Sequence, residues 1–399
     1  MMLNIEEPRA LPRFALFNLG FRPFFLGAAG FAVIAMLIWM VIYVFGWSVQ
    51  PYGLPAMNWH AHEMIFGYAI AVVAGFLLTA IRNWTGIQTL NGSPLFLLFL
   101  LWVTGRVVPF FSEAIALEYV AIIDNLFLAV LVVATAVPIV KARQWKNLGI
   151  ISKVVLLLAS NLLFYAGALG FLADGVYQGL YSGLYLILAL IFVMGRRVIP
   201  SFIQSGVGYP VQLRNRAWLD ISSLLLFLLF WIADVFVRDA RLVALLATVL
   251  FVLHGVRLVG WYTHGIWRKP LLWILYLAYA VLVTGFALKA AVPVFSISPY
   301  LAVHAFAVGG IGLMTVGMMT RVALGHTGRE VSAPPTILIW VFLMLLGGAV
   351  VRVFVPLVDP ARYVLWIGMS QVFWMAAFVL FLYVYLPMLI KPRVDGKFG

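Results

Sequence analysis

Histidine and glutamate side chains stand close together in the segment Trp59-His-Ala-His-Glu63. Imidazole and carboxylate groups can ligate metals and transfer protons. Successive helical residues turn by about 100°, so His60 and His62 point in nearly opposite directions and Glu63 returns toward His60. One helix-bound metal therefore cannot take both histidines. We predict that His62 serves one site and His60 with Glu63 another, unless His60 is an interfacial anchor and His62 with Glu63 a buried polar pair.

The segment that starts at His62 recurs later in the chain. Residues 62–86 and 304–328 align without a gap and share the first histidine, two inner glycines and a closing Thr-Gly pair. A weaker third copy at 195–206 keeps the glycine spacing, but Ser182 stands where the others have histidine. The offset of about 120 residues corresponds to four membrane spans and predicts three pseudo-equivalent four-helix units.

Equivalent histidines at His62 and His304 can ligate one planar haem from its two faces. The chain has no cysteine, which excludes thiolate ligands and covalent attachment of haem. We therefore predict non-covalent haem b, one or two molecules, with these two imidazoles as ligands. The alternative is that both histidines are helix-packing residues inherited with the repeat.

Other basic side chains are candidates for holding the same group or a second one. Arg106 and Arg352 each follow one span after a repeat histidine. Haem propionates need donors that bind two oxygens, which suits guanidinium; the alternative is that both side chains reach the membrane interface. His254 and His326 lie toward the opposite membrane side. They are candidates for a second metal site, against the commoner solvated or packing histidine.

The composition requires a membrane. Of 399 residues, 65% are hydrophobic and 10% are charged, whereas a soluble domain carries about 25% charged residues. The net charge of +13 comes from basic residues scattered between apolar runs. That pattern is typical of loops that face anionic lipid, and not of a nucleic-acid-binding surface. The predicted partner of the surface is therefore the lipid bilayer, and no nucleic-acid partner is expected.

An apolar run of about 20 residues crosses the hydrocarbon core as a helix. The chain has such runs at twelve places, which predict an all-α polytopic membrane protein with twelve transmembrane helices. They lie at 24–45, 60–81, 94–112, 119–140, 150–172, 176–199, 217–237, 241–261, 270–291, 299–322, 334–356 and 363–390. They form one membrane domain over 24–390, with tails at 1–23 and 391–399. Twenty of the 26 lysines and arginines fall on the side of the termini, so both termini are expected in the cytoplasm.

Four stretches of the chain resemble the NnrS family of membrane proteins. They are Phe21-Arg-Pro-Phe-Phe25, Trp59-His-Ala-His-Glu-Met64 continuing to Asn83-Trp-Thr-Gly86, Gly195-Arg-Arg-Val-Ile-Pro-Ser-Phe202, and His304 through Met319-Thr-Arg321 to Gly325-His-Thr-Gly-Arg329. The resemblance implies a twelve-span protein of the bacterial inner membrane that contains haem and copper. It also implies a role in handling or resisting nitric oxide, in denitrifying and nitric-oxide-stressed bacteria.

A looser similarity is to the haem–copper oxidases and nitric oxide reductases, which also have twelve spans and haem ligands on the second and tenth. Their second-metal histidines lie on the sixth and seventh spans, where this sequence has no histidine. A copper site of that type is therefore in doubt. His60 with Glu63 is the substitute candidate for a catalytic second haem or metal.

We expect a haem–copper type membrane protein that reduces or otherwise detoxifies nitric oxide near the periplasmic side. A quinol or a periplasmic cytochrome would supply the electrons. Two alternatives stay open. One is a proton-coupled transporter built on the internal repeat, and the other is a haem-containing nitric oxide sensor without turnover.

Overall fold

The regular elements of the chain are helices. The computed structural model describes residues 14–48, 50–111 and 113–399, and within these ranges no β-strand occurs. Twelve helices there are long and apolar enough to cross a membrane, which confirms the predicted all-α architecture. We number them span 1 to span 12 in chain order: Phe21–Tyr43, Ala56–Thr85, Gly92–Phe111, Leu117–Lys141, Trp145–Ala168, Gly175–Gly206, Ala217–Val237, Ala240–Gly260, Pro270–Phe295, Pro299–His326, Leu338–Val358 and Pro360–Ile390.

The ends of the spans follow local chemistry. Pro299 opens span 10, where its missing N–H costs no intrahelical hydrogen bond. Gly86 ends span 2 with a φ of 71°, a left-handed conformation that glycine adopts without steric cost. Most of the predicted tail at 1–23 lies outside the described residues, and its described part enters span 1 at Phe21.

Two of the spans change their hydrogen-bonding register at the repeat histidines. Span 2 is α-helical up to His62 and then π-helical over Glu63–Ala69. Span 10 is α-helical up to His304 and then π-helical over Ala305–Gly312. The two copies of the repeat therefore share a backbone irregularity as well as their residues, and such π-helical turns are frequent at functional sites. Around Ser182, in the weaker third copy, span 6 stays α-helical.

The chain divides by its contacts into two compact units. Unit 1 comprises Met1–Leu186, Met319–Val331 and Phe378–Gly399, and unit 2 comprises Ile187–Met318 and Ser332–Ala377. In unit 1, Phe21, Phe24 and Phe25 of span 1 have no exposed surface. In unit 2, a core cluster contains Leu288, Ala302, Ala305 and Val353. The predicted division into three four-helix units stays a prediction.

The repeat glycines allow close packing of helices. A Cβ added at Gly67 would lie 2.6 Å from the Phe31 ring, and one added at Gly309 would lie 2.2 Å from Val281 Cγ1. Both distances are too short for real atoms, so each position excludes a side chain. Small residues have this role at helix contacts in membranes.

Candidate functional site: buried histidines in both units

Unit 1 contains a group of seven buried polar residues, which we call the His62 cluster. The elements that supply it are spans 2 to 5 and the loop before span 2. Its members are Tyr52, His62, Glu63, Arg106, Asp124, Asn161 and Tyr165, each no more than 5% exposed. Ionisable groups are costly inside a membrane, so such a concentration marks a pathway or a site.

Arg106 joins the two carboxylates of the His62 cluster. Its Nη1 donates to Glu63 Oε2 at 2.6 Å, and its Nη2 donates to Asp124 Oδ1. One guanidinium therefore pairs with two anions. Its Nη1 and Nη2 groups, which the sequence suggested as donors to a haem propionate, are engaged in these two pairs.

His62 has a hydrogen-bond acceptor at each ring nitrogen. Nδ1 lies 3.2 Å from Glu63 Oε1, and Nε2 lies 2.9 Å from Asn161 Oδ1. The orientation of the Asn161 amide is fixed, because its Nδ2 donates to Asp124 Oδ2 at 3.0 Å. Tyr52 Oη also lies 3.3 Å from Nδ1, but it donates to Glu63 Oε1 at the shorter distance of 2.6 Å. The arrangement therefore favours donation from both nitrogens, that is, an imidazolium. Two cations and two anions balance within the cluster.

Two tyrosines complete the His62 cluster. Tyr52 Oη donates to Glu63 Oε1 at 2.6 Å, and Tyr165 Oη donates to Asp124 Oδ2 at 3.2 Å. Tyr52 has a φ of 64°, which is unusual for a residue with a side chain. Burial, and next the charge of Glu63, raise the pKa of Tyr52 well above its ordinary value. The phenol therefore keeps its proton and acts as a donor.

His60 and Glu63 do not form the pair that we expected. The His60 ring stacks on Trp39, with centroids 4.5 Å apart and planes 4° from parallel. Glu63 contacts His62 instead, with Oε1 3.2 Å from His62 Nδ1, and both residues keep right-handed helical dihedrals. The arrangement matches the alternative, in which His62 and Glu63 are a buried polar pair.

In unit 2, His304 contacts Arg352. His304 Nδ1 lies 2.7 Å from the Tyr300 carbonyl oxygen, and His304 Nε2 lies 3.1 Å from Arg352 Nη2. A carbonyl only accepts and a guanidinium only donates, so His304 carries one proton, on Nδ1. Arg352 Nη1 also donates to Tyr363 Oη at 3.2 Å.

His254 lies in a second buried group of unit 2. Its Nδ1 is 2.6 Å from Tyr279 Oη and 3.2 Å from Arg257 Nη1. Arg257 Nη2 in turn donates to Asp220 Oδ1 at 2.8 Å. The His254 ring packs between Phe192 and Phe286, with centroids 4.4 and 5.5 Å away. Its Nε2 has no hydrogen-bond partner.

His326 ends span 10 in unit 1, where we had expected a loop. Its ring centroid lies 5.7 Å from that of Phe21, and its carbonyl oxygen accepts from Arg393 Nη1 at 3.1 Å.

The histidines differ in their fit to a haem iron. His62 does not fit as arranged, because both nitrogens bind acceptors. His304 fits better, because its Nδ1–H faces a carbonyl, the usual outer partner of a metal-bound imidazole, and Arg352 beside it suits a propionate. For copper, the described residues contain no group of three or more histidine or acidic side chains placed to hold a metal.

Sequence reasoning missed Tyr52, Asp124, Asn161 and Tyr165. Asp124 gave a usable signal, since it is an acidic residue inside an apolar run. Tyr52 and Asn161 gave none, because neither type is unusual where it stands.

The comparison with known families agrees with the motifs. The family model described as NnrS protein matches residues 15–393. No curated protein matches the chain. The family match covers nearly the whole sequence and points to a membrane protein related to nitric oxide. The chain therefore belongs to the NnrS family.

Proposed function

We propose that the protein reduces nitric oxide in the membrane, with haem b ligated by His304 and with His62 as an internal proton donor. The observation that carries the proposal is the burial of His62 between two carboxylates, with an oxygen acceptor near each ring nitrogen. Reducing two nitric oxide molecules to nitrous oxide and water takes two electrons and two protons by mass and charge balance. A membrane-buried reaction therefore needs a proton donor that is itself buried.

The His62 cluster has the properties of a proton donor that reloads. When His62 gives up one proton, the cluster keeps two carboxylates and one guanidinium, so it carries one net negative charge. In a low-dielectric surrounding that charge attracts a replacement proton strongly. Tyr52, in the loop before span 2, donates to Glu63 and offers a route from outside the spans.

His304 and Arg352 are the residues that would hold the haem. His304 would offer Nε2 to the iron, and Arg352 would turn its guanidinium from that nitrogen to a propionate. A bound haem would supply an iron that binds nitric oxide and passes electrons to it. A quinol or a periplasmic cytochrome is the proposed electron donor.

Copper is proposed from the family resemblance alone, since the described residues offer no ready site for it. His60, His254 and His326 are the remaining candidates for a second haem or metal.

The placement of basic residues supports an inner-membrane protein with both termini in the cytoplasm.

The test compares three purified variants with wild type. His304→Ala should lose the Soret band and the pyridine haemochrome. His62→Gln should keep both and consume nitric oxide roughly 100-fold more slowly under excess reductant, as expected for loss of a proton donor. His264→Ala, in an exposed loop position, is the control and should match wild type. Loss of haem from His62→Gln but not from His304→Ala would contradict the assignment.

A transporter is the second candidate, favoured by the π-helical interruptions at repeat-equivalent positions of spans 2 and 10. The absorbance of bound haem distinguishes the two candidates. A folded wild-type preparation without haem absorbance would favour proton-coupled transport. A preparation that binds nitric oxide without consuming it would favour a sensor.

A further inference from the structure

The inference concerns Arg22, which lies in span 1 and has no exposed surface. Its Nη1 donates to carbonyl oxygens at the end of span 12: Met388 at 3.2 Å, Leu389 at 2.7 Å and Lys391 at 2.9 Å. Those carbonyls are the unpaired acceptors of a helix C-terminus, so Nη1 of Arg22 caps the C-terminal end of span 12.

The other edge of the Arg22 guanidinium has no partner. Its Nε and Nη2 are buried and make no hydrogen bond with any residue that the structure describes. These two atoms lie on one edge of the planar group and present two parallel N–H bonds. That edge matches two oxygens of a phosphate or carboxylate. Buried charged donors left without acceptors are costly, so this edge calls for an anion.

Further cations lie around Arg22 in unit 1. Arg329 and Arg393 are close enough for their charges to act on Arg22, and Arg82, Arg393 and Arg22 all act on His326. Arg329 Nη1 is also buried without a hydrogen-bond partner, and burial lowers the pKa of Arg329. We call Arg22, Arg82, Arg329 and Arg393 the arginine cluster.

Two members of the arginine cluster contact other polar side chains. Asp395 pairs with Arg393, with Nη2 and Oδ2 2.5 Å apart. Arg82 Nε donates to the uncharged amide of Gln88 at 2.7 Å. Among the described residues, the buried guanidinium atoms of the cluster without a hydrogen-bond partner are on Arg22 and Arg329.

We infer that the arginine cluster binds a phosphate group between Arg22 and Arg329. Several cations at one place favour phosphate over a singly charged carboxylate, because phosphate carries more charge and more acceptor oxygens. The phosphate would come either from an anionic lipid headgroup or from a free phosphate ion. The arginine cluster shares no residue with the His62 cluster.

The experiment uses the full chain, delipidated in neutral detergent. The midpoint of thermal unfolding is followed against inorganic phosphate at constant ionic strength, and in phosphatidylcholine vesicles with and without phosphatidylglycerol. We expect phosphate, phosphatidylglycerol or both to stabilise wild type. The additive that stabilises it identifies the source of the bound phosphate group. Arg329→Gln should weaken the apparent affinity at least about tenfold, since it removes a charge-assisted contact.

Arg216→Gln is the matched control, because Arg216 is exposed in the loop before span 7. It should respond like wild type. Arg22→Gln is a second test variant, and its helix-capping task makes Arg329→Gln the decisive one. The inference is overturned if neither additive stabilises wild type, or if Arg329→Gln and wild type respond equally.

Discussion

Asp124 is the residue that completes the His62 cluster. Its carboxylate accepts from Arg106 of span 3 and from Asn161 and Tyr165 of span 5. Breaking a buried ion pair on one side leaves the other charge without compensation, which costs more than the pair itself contributes. The stability of unit 1 should therefore depend on this carboxylate.

Asp124→Asn tests that dependence. It leaves Arg106 with one carboxylate in place of two, so we expect a loss of about 3–5 kcal/mol in the free energy of unfolding. Asp359→Asn is the control, since Asp359 is 33% exposed and lies 3.8 Å from Arg362. An exposed pair contributes less than about 1 kcal/mol. Denaturant unfolding in detergent gives both values, and equal losses would contradict the account.

Tyr52 gives a prediction about alkaline pH. Because burial raises its pKa above the ordinary value of 10.0, the folded protein keeps the phenol proton while the unfolded chain releases it. This contribution to stability is complete below pH 10 and is lost as the pH rises further, by up to about 1.4 kcal/mol per unit. Tyr52→Phe should remove that part of the slope.

The measurement for Tyr52 is the unfolding midpoint between pH 9 and pH 11. Wild type should lose more stability over this range than Tyr52→Phe. Tyr383→Phe, at an exposed position of span 12, should follow wild type. Parallel curves for wild type and Tyr52→Phe would show that Tyr52 does not titrate differently in the two states.

At the scale of elements, the internal repeat is visible in the backbone geometry of spans 2 and 10. Each has an α-to-π change directly after its histidine, and each has a glycine in the π-helical part that a neighbour approaches closely. The two copies of the repeat therefore keep the same backbone irregularity at the same position relative to the histidine.

Gly309→Ala tests the close packing in span 10. The new methyl would collide with Val281 on span 9, so we expect a loss of about 1–3 kcal/mol. Gly30→Ala in span 1 is the control. An added Cβ there meets nothing within 4 Å, and alanine favours helix, so stability should hold or rise slightly. Adding Val281→Ala to Gly309→Ala should recover part of the loss; no recovery would argue against the collision.

Sequence patterns predicted some parts of these elements and not others. Apolar runs predicted the twelve spans because length and hydropathy alone decide whether a helix can cross lipid. The position of Arg352 one span after His304 suggested a propionate donor, and the structure places Arg352 Nη2 3.1 Å from His304 Nε2. The repeat did not predict that Asp124 and Asn161 would engage Arg106 and His62, because those contacts join separate spans. Periodicity along one helix carries no information about them.

At the scale of the whole molecule, the absence of cysteine makes the topology directly testable. A single cysteine can be introduced with no background thiol. Glu113→Cys, in the loop after span 3, should react with a membrane-impermeant maleimide in spheroplasts. Lys146→Cys, at an exposed position in the first turn of span 5, should react only in inverted vesicles. The reverse pattern would place the termini in the periplasm.

The two repeat histidines, His62 and His304, have different surroundings, which indicates how the two copies of the repeat diverged. One imidazole donates from both nitrogens to oxygen acceptors, whereas the other sits between a carbonyl and the guanidinium of Arg352. A duplicated ancestor would have started with the same setting twice. Divergence then left a positive ring in one copy and a neutral ring in the other, so exchanging the flanking residues between copies should exchange the two ring charges as well.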